Sequence, residues 1–171
     1  MPDRFRTETL SGEHDRSAFN SGSQELDRYL RERASQDIRR RLATCFVAID
    51  VETRDVAGFY TLAATSIALG DMPPEIVRKL PRYPVIPAAL LGRLAVGLNH
   101  QGKGLGATLL ADALLRTARA EVGVFIMLVD AKNDAAQRFY ERFGFTLLPG
   151  EARRLSLPIA TAVRQLEGQK P

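Results

Sequence analysis

A chain of 171 residues that is 45% hydrophobic and 26% charged has the size and composition of one globular domain, expected over 1–171. No apolar run approaches the ~20 residues of a membrane-spanning helix and no signal peptide is visible, which fits a cytoplasmic protein; the single Cys45 excludes an internal disulfide and a cysteine metal cluster, reads as a small core residue, and leaves no metal expected. The net charge is +4, and twenty of the 24 basic residues are Arg, the side chain suited to bidentate phosphate contacts.

Residues 1–22 read as polar sequence with Phe5, Leu10 and Phe19 as isolated anchors. Ser21 or Ser23 is an N-cap for a helix reaching about Leu42, with Gln24 completing a capping box from Ser21. Its apolar face is Leu26, Tyr29, Leu30, Ala34 and Ile38, while Arg28, Arg31, Arg33, Arg39, Arg40 and Arg41 crowd the remainder. That run is either a solvated face softened by Asp27, Glu32 and Asp37 or a contact for a polyanion. Thr44 to Asp50 and Val56 to about Leu69 form an antiparallel hairpin. Asp71 before Pro73-Pro74-Glu75 marks a capped helix start, giving a short helix to Leu80 that carries Arg78 and Lys79.

Pro81, Pro84 and Pro87 hold an extended connector into a central strand that ends in Leu94-Ala95-Val96. A helix with apolar residues at Leu105, Leu109, Leu110, Leu114, Leu115 and Ala118 follows. Val124 to Val129 is a continuous apolar run, the pattern of a strand buried on both faces. Asn133 and Asp134 cap another helix, which carries Phe139-Tyr140 and closes at Gly144; Phe145 to Leu148 and Arg154 to Ile159 are the last strands. Helices on a mixed sheet that opens with a hairpin make an α+β class, unlike a doubly wound start.

The stretch between central strand and helix, Gln101-Gly102-Lys103-Gly104-Leu105-Gly106-Ala107, is the chemical centre of the chain. Its glycines remove side chains where the backbone turns, so unpaired amides and the positive end of the helix dipole can receive phosphate oxygens. A Walker loop fails, because Gly106 is followed by Ala107 and Thr108 rather than Lys-[Ser/Thr]. Gly102-x-Gly104-x-x-Ala107 with Asp130 downstream fits a dinucleotide fingerprint, but it comes late, with too little chain after it for the remaining parallel strands. The same residues fit Gln-x-x-Gly-x-Gly through Gln101, Gly104 and Gly106.

Together with Asn133-x-x-Ala136-x-x-Phe139-Tyr140-x-x-Phe143-Gly144-Phe145, that loop resembles the GNAT-type N-acetyltransferases in order and spacing. Phe19-Asn20-Ser21-Gly22, Leu26-x-x-Tyr29-Leu30, Leu91-Gly92-Arg93-Leu94-Ala95-Val96 and Arg154-Leu155-x-Leu157-Pro158 narrow the resemblance. They look like the aminoacyl-tRNA-acetylating toxins of type II toxin–antitoxin pairs. The resemblance implies a central mixed, mostly antiparallel sheet flanked by helices, acetyl-CoA as cofactor, aminoacyl-tRNA as acceptor, a ribbon-helix-helix antitoxin as partner and a homodimer. Where the subgroup usually has Asp after Leu-Ala-Val, this chain has Gly97, which puts loop structure or substrate orientation in question.

Carried onto this chain, the resemblance places the thioester and pantetheine along the edge of Leu94, Ala95 and Val96. The pyrophosphate falls on Gln101, Gly102, Lys103, Gly104, Leu105, Gly106 and Ala107, with Asn133 as a cap near the cofactor. Tyr140, with a reference pKa of ~10, can donate a proton to the leaving thiolate. Arg93, Arg78, Lys79, Arg28, Arg39 and Arg40 are the expected tRNA contacts. No general base stands out, and His100 reads as a solvent-exposed loop residue. An α-amine with a pKa of ~7.7–8.0 offers appreciable free base at neutral pH, unlike a lysine at ~10.4, which favours an aminoacyl ester over protein lysine. A small amine or a protein N-terminus is the alternative acceptor, and a non-catalytic acetyl-CoA-binding module is a third reading.

Overall fold

The computed structural model describes residues 4–168; the ends of the expected 1–171 domain, residues 1–3 and 169–171, lie outside it. Seven strands are ordered β1-β2-β3-β4-β5-β7-β6 in one sheet. The strands are β1 (Phe5–Thr9), β2 (Thr44–Asp50), β3 (Val56–Ala68), β4 (Val85–Val96), β5 (Ile126–Asp130), β6 (Thr146–Leu147) and β7 (Arg154–Pro158). The β4–β5 pair is parallel, whereas β1–β2, β2–β3, β5–β7 and β6–β7 are antiparallel. The helices are α1 (Gln24–Arg28), α2 (Ala34–Arg39), α3 (Pro74–Val77), α4 (Leu105–Ala118), α5 (Asp134–Arg142) and α6 (Ile159–Gly168). The mixed α+β arrangement expected from the sequence is therefore present.

The chain divides into two compact units, and β3, β4 and α4 contribute residues to each. The first comprises Met1–Ala63 and Gly92–Ala113. Its core gathers Leu10, Phe19, Tyr29, Leu30, Ala34, Cys45, Val47, Ile49, Val56, Phe59 and Ala95. Large side chains such as Leu30 and Phe59 are fully buried there, each worth about 1.5–3 kcal/mol of apolar burial. Cys45 is a core residue as expected, and burial pushes its thiol up to about 12, so it stays an unreactive thiol.

Ser23, rather than Ser21, caps α1, its hydroxyl accepting from the Leu26 amide at 3.3 Å. The expected single helix to Leu42 is interrupted. Tyr29–Arg33 forms a π turn in which the Ala34 amide bonds to the Tyr29 carbonyl, before α2 resumes. The Tyr29 hydroxyl donates to Asp37 at 2.7 Å, tying the wide turn to the helix after it. The helix closes with Arg41 donating to the Ile38 carbonyl and Leu42 to the Asp37 carbonyl, at 3.1 and 2.9 Å. This is the bonding of a Schellman stop, with Arg41 at φ 59° where glycine is usual.

The second unit comprises Ala64–Leu91 and Leu114–Pro171. Ile67, Met72, Ile86, Ala88, Ile126, Leu128 and Leu148 form its core, with Phe125, Leu80 and Leu90 packed against them. The continuous apolar run expected to be a two-faced buried strand is β5, whose residues Ile126–Val129 are all buried. Asp71 does not cap a helix. It ends a 3-10 turn over Leu69–Asp71, and α3 begins after Pro73, whose ring supplies no cap hydrogen bond.

Two elements were not expected. Phe5–Thr9 is a strand, because β2 supplies the hydrogen-bonding partners for an otherwise polar segment, Phe5 opposite Asp50 through Thr9 opposite Phe46. Helix α6 follows β7 directly, burying Ile159 and Ala162, and its spacing of Ile159, Ala162, Val163 and Leu166 is a readable helical stripe.

Candidate active site

In the first unit, β4 delivers the loop. The parallel register with β5 covers Ala88–Leu91; Leu94, Ala95 and Val96 follow it in β4, with Ala95 buried and its two neighbours half-buried. After a 3-10 turn over Leu98–His100, Gln101–Gly104 is exposed and α4 starts at Leu105. Gly102 and Gly104 adopt φ of 78° and 81°, a region that L side chains enter at a cost of about 1–2 kcal/mol. An added Cβ at either would meet no neighbour, so the requirement there is conformational rather than steric. The Thr108 amide closes onto the Gly104 carbonyl at 3.1 Å; the amides before it belong to the open first turn, the arrangement suited to phosphate oxygens. The loop therefore fits a pyrophosphate.

The Gln101 side chain does not point outward as a ligand contact. Its Nε2 donates to the carbonyls of Ser21 at 3.0 Å and Val96 at 2.9 Å, bracing the loop. Lys103 Nζ rests on the Asn99 carbonyl at 3.4 Å. The Phe19–Gly22 block supplies the other half of the brace. Leu98 donates its amide to the Asn20 carbonyl at 2.8 Å, and Asp27 accepts from the Ser21 amide at 3.0 Å and hydroxyl at 2.6 Å. Asp27 is thus a buried structural carboxylate, not a surface counter-charge as its place in the helix suggested.

His100, expected in solvent, is buried: it is 8% exposed, with Nε2 3.2 Å from Asp50 Oδ2. At Gly97 the backbone is extended, φ −61° and ψ 146°, which any residue adopts. A Cβ there would lie 3.3 Å from the Ala57 carbonyl oxygen and 3.6 Å from the Phe19 ring. The Gly97 amide donates to that same Ala57 carbonyl at 2.8 Å, so the missing carboxylate leaves the loop entry anchored.

Two of the six expected tRNA contacts meet in one cavity of the first unit. Arg28 and Arg93 line it with Arg33, Tyr29, Asp37, Gln24 and Glu25, around a volume of about 670 Å³. The Arg93 guanidinium lies over the Tyr29 ring, 3.6 Å from its centroid, a cation–π contact worth about 0.5–2 kcal/mol. Burial, then the bond to Asp37, push the Tyr29 phenol well above its ordinary value despite the opposing Arg93 charge. The ring therefore stays neutral beneath the cation. Arg39 and Arg40 are exposed at the end of α2, outside this cavity. Arg33, absent from the expected contacts, could have been found from its i, i+5 spacing to Arg28 only had the π turn been known.

In the second unit, Asn133 caps α5 as expected, its Oδ1 accepting from the Ala136 amide at 2.9 Å. Tyr140 is 8% exposed, set edge-on against Phe139 and Phe145 at 5.2 and 5.6 Å between ring centroids. Burial pushes its phenol up to about 12, so the hydroxyl keeps its proton throughout the physiological range and can act as an acid. Asp130, the carboxylate a dinucleotide fingerprint would need for a ribose, is held by Arg154 through two bonds of 2.8 and 3.0 Å. Arg78 and Lys79 are exposed after α3.

Residues 12–145 match the acetyltransferase (GNAT) family. A tRNA-acetylating toxin of Mycobacterium tuberculosis is 40% identical over 152 residues, 86% of this chain and 88% of that protein. Among solved structures, AtaT complexed with acetyl-methionyl-tRNAfMet superposes with a TM-score of 0.85 at 29% identity, covering 95% of this chain and 99% of the other. A tyrosine-to-phenylalanine mutant of the toxin AtaT, bound to the C-terminus of the antitoxin AtaR and acetyl-CoA, gives 0.77 at 26% identity, with 98% and 100% covered. The loop geometry, the sequence match and the shared fold agree: this chain belongs to the GNAT acetyltransferase family and is an acetyl-CoA-dependent N-acetyltransferase.

Proposed function

We propose that the chain is a toxin that transfers acetyl from acetyl-CoA to the α-amine of aminoacyl-tRNA, blocking translation, and that an antitoxin of the ribbon-helix-helix type neutralises it. The observation that carries this reading beyond its family is the cavity in which Arg28, Arg33 and Arg93 converge, a cationic site for a phosphate-bearing acceptor. The 40% identical tRNA-acetylating relative and the tRNA- and antitoxin-bound AtaT structures support it. We read the chain as one acetyltransferase domain, working in the cytoplasm as a homodimer.

Acetyl-CoA supplies an activated thioester; the chain supplies the rest. The amides of Gln101–Ala107 hold the pyrophosphate, the main chain of Leu94–Val96 orients the pantetheine, and Asn133 shapes the turn at the start of α5. Tyr140 Oη gives its proton to the departing thiolate. The acceptor amine, with a free α-amino pKa of ~7.7–8.0 that esterification lowers, attacks as the free base; the proton it sheds as the amide forms restores the Tyr140 phenol, so no separate basic side chain is needed. Arg28 and Arg93 bind the acceptor's phosphates, with further contacts from Arg39, Arg40, Arg78 and Lys79.

The deciding experiment is transfer of labelled acetyl from acetyl-CoA to total charged tRNA, with and without prior deacylation. Label on charged tRNA alone is the expected result. Label instead on small amines or protein N-termini, with none on tRNA, would replace the toxin reading with the alternative acceptor.

A further inference from the structure

His100 is the last residue before the glycine loop, and the mechanism above gives it no task. It is nonetheless among the most constrained polar residues of the first unit. Its ring is buried, its Nε2 lies 3.2 Å from Asp50 Oδ2, and Phe5 walls it edge-on with centroids 5.7 Å apart. Its amide donates to the Gly97 carbonyl at 2.8 Å. An ionised carboxylate only accepts, so Nε2 carries the shared proton. Asp50 has a side chain with no solvent exposure. It is held in turn by Arg4 Nε and Nη2 at 3.2 and 3.0 Å and by the Glu52 and Thr53 amides at 2.9 and 3.4 Å. Five donors thus fix one carboxylate at the end of β2, and the carboxylate fixes the ring at the loop's entry.

We propose that His100 is a positioning residue for acetyl-CoA: clamped on Asp50, it holds the backbone at the start of Gln101–Ala107 so that the loop amides are set for the pyrophosphate before binding. This rests on reading that loop as the acetyl-CoA site. A loop free to rearrange would have to be ordered at the moment of binding, and affinity would fall accordingly. The bond is long-range in sequence, reaching fifty residues back, so it restrains the loop in a way that its own glycines cannot.

Acetyl-CoA binding by calorimetry and steady-state kinetics on the full chain, H100A and H100Q test it. Loss of one hydrogen bond to a charged partner is expected to raise both the Kd and the KM for acetyl-CoA about tenfold in H100A. The kcat and the KM for the acceptor should stay within about twofold. H100Q, whose side-chain nitrogen can occupy the place of Nε2 and donate to Asp50, should recover most of the affinity. Unchanged acetyl-CoA affinity in a folded H100A overturns the proposal, as does a fall in kcat at constant KM. Loss of the thermal unfolding transition in both variants also overturns it, because His100 then supports the whole unit rather than the loop. If the unaltered chain itself fails to bind acetyl-CoA, the loop assignment falls first and takes the proposal with it, an outcome separate from the other three.

Discussion

The glycine loop and the Tyr140 helix are held by opposite means. The loop is exposed, built without side-chain bulk, and kept in shape by polar bonds to remote segments: Ser21, Asn20, Ala57 and, through His100, Asp50. Tyr140 is buried and placed by its sequence neighbours Phe139 and Phe145, with its helix started by Asn133. A surface that must admit a charged ligand cannot be fixed by apolar packing, since packing would fill it. A proton donor, in contrast, can be packed, because burial keeps it protonated even though it also makes it a weaker acid. Binding defects should therefore come from residues scattered over the first unit, and turnover defects from a short stretch of the second.

The sharpest break in that contrast is Tyr140→Phe. It should lower kcat by about 10²–10⁴ while acetyl-CoA affinity, read by calorimetry, stays as before. Gly104→Ala comes next. Forcing a methyl side chain to φ 81° costs about 1–2 kcal/mol, so the KM for acetyl-CoA should rise about tenfold with kcat little changed. Arg93→Ala removes the cation over Tyr29; charged-tRNA affinity should drop severalfold, and the slope of log affinity against log salt should fall by about 1. A filter-binding salt series reads this directly, and an unchanged slope would remove Arg93 from the acceptor site.

The smallest effect is in pH. Because burial raises the Tyr140 phenol from 10.0 to about 12, its neutral form is the one the fold favours. That contribution to stability is complete below pH ~10, where the unfolded tyrosine is still protonated, and is lost as pH climbs from ~10 through 12. Turnover should accordingly show an acid limb set by the acceptor amine and no alkaline limb from Tyr140 below pH 10. A fall in kcat between pH 8 and 9 would mean a different proton donor.

Much of the architecture was legible because it follows from local pattern. The hairpin from Thr44, the helix from Leu105 and the Asn133 cap each depend on residues a few positions apart. The first strand was not, since Phe5–Thr9 gains its partners from residues some forty positions later. The same reason hid the burial of His100 and Asp27. A histidine beside a glycine loop looks solvated until the strand end bearing Asp50 is known to lie beneath it. Of the two serines that local pattern offers as caps, Ser23 is the one used; the Ser21 hydroxyl instead donates to the Asp27 side chain and accepts from the Ser23 amide. For Asp71, the prolines that mark a helix start also remove the amides an aspartate would cap. The glycine loop and the capped helix that carries Tyr140 were thus legible in the sequence, whereas the remote bonds that brace the loop were not.

The π turn at Tyr29–Arg33 bears on how such a protein can diverge. One extra residue is absorbed within a helix whose two ends are anchored independently, by Ser23 and by the Arg41 stop. In the π turn Arg28 and Arg33 stand five positions apart yet face one cavity, the relation that residues four apart have in a regular helix. Losing a single codon within the turn would restore that regular spacing and leave both arginines, and the segments beyond them, on their present faces. Only the side chains inside the turn, Tyr29 beneath Arg93 among them, would change places. A residue can thus enter or leave this helix by inheritance without disturbing the sheet, the loop or Tyr140.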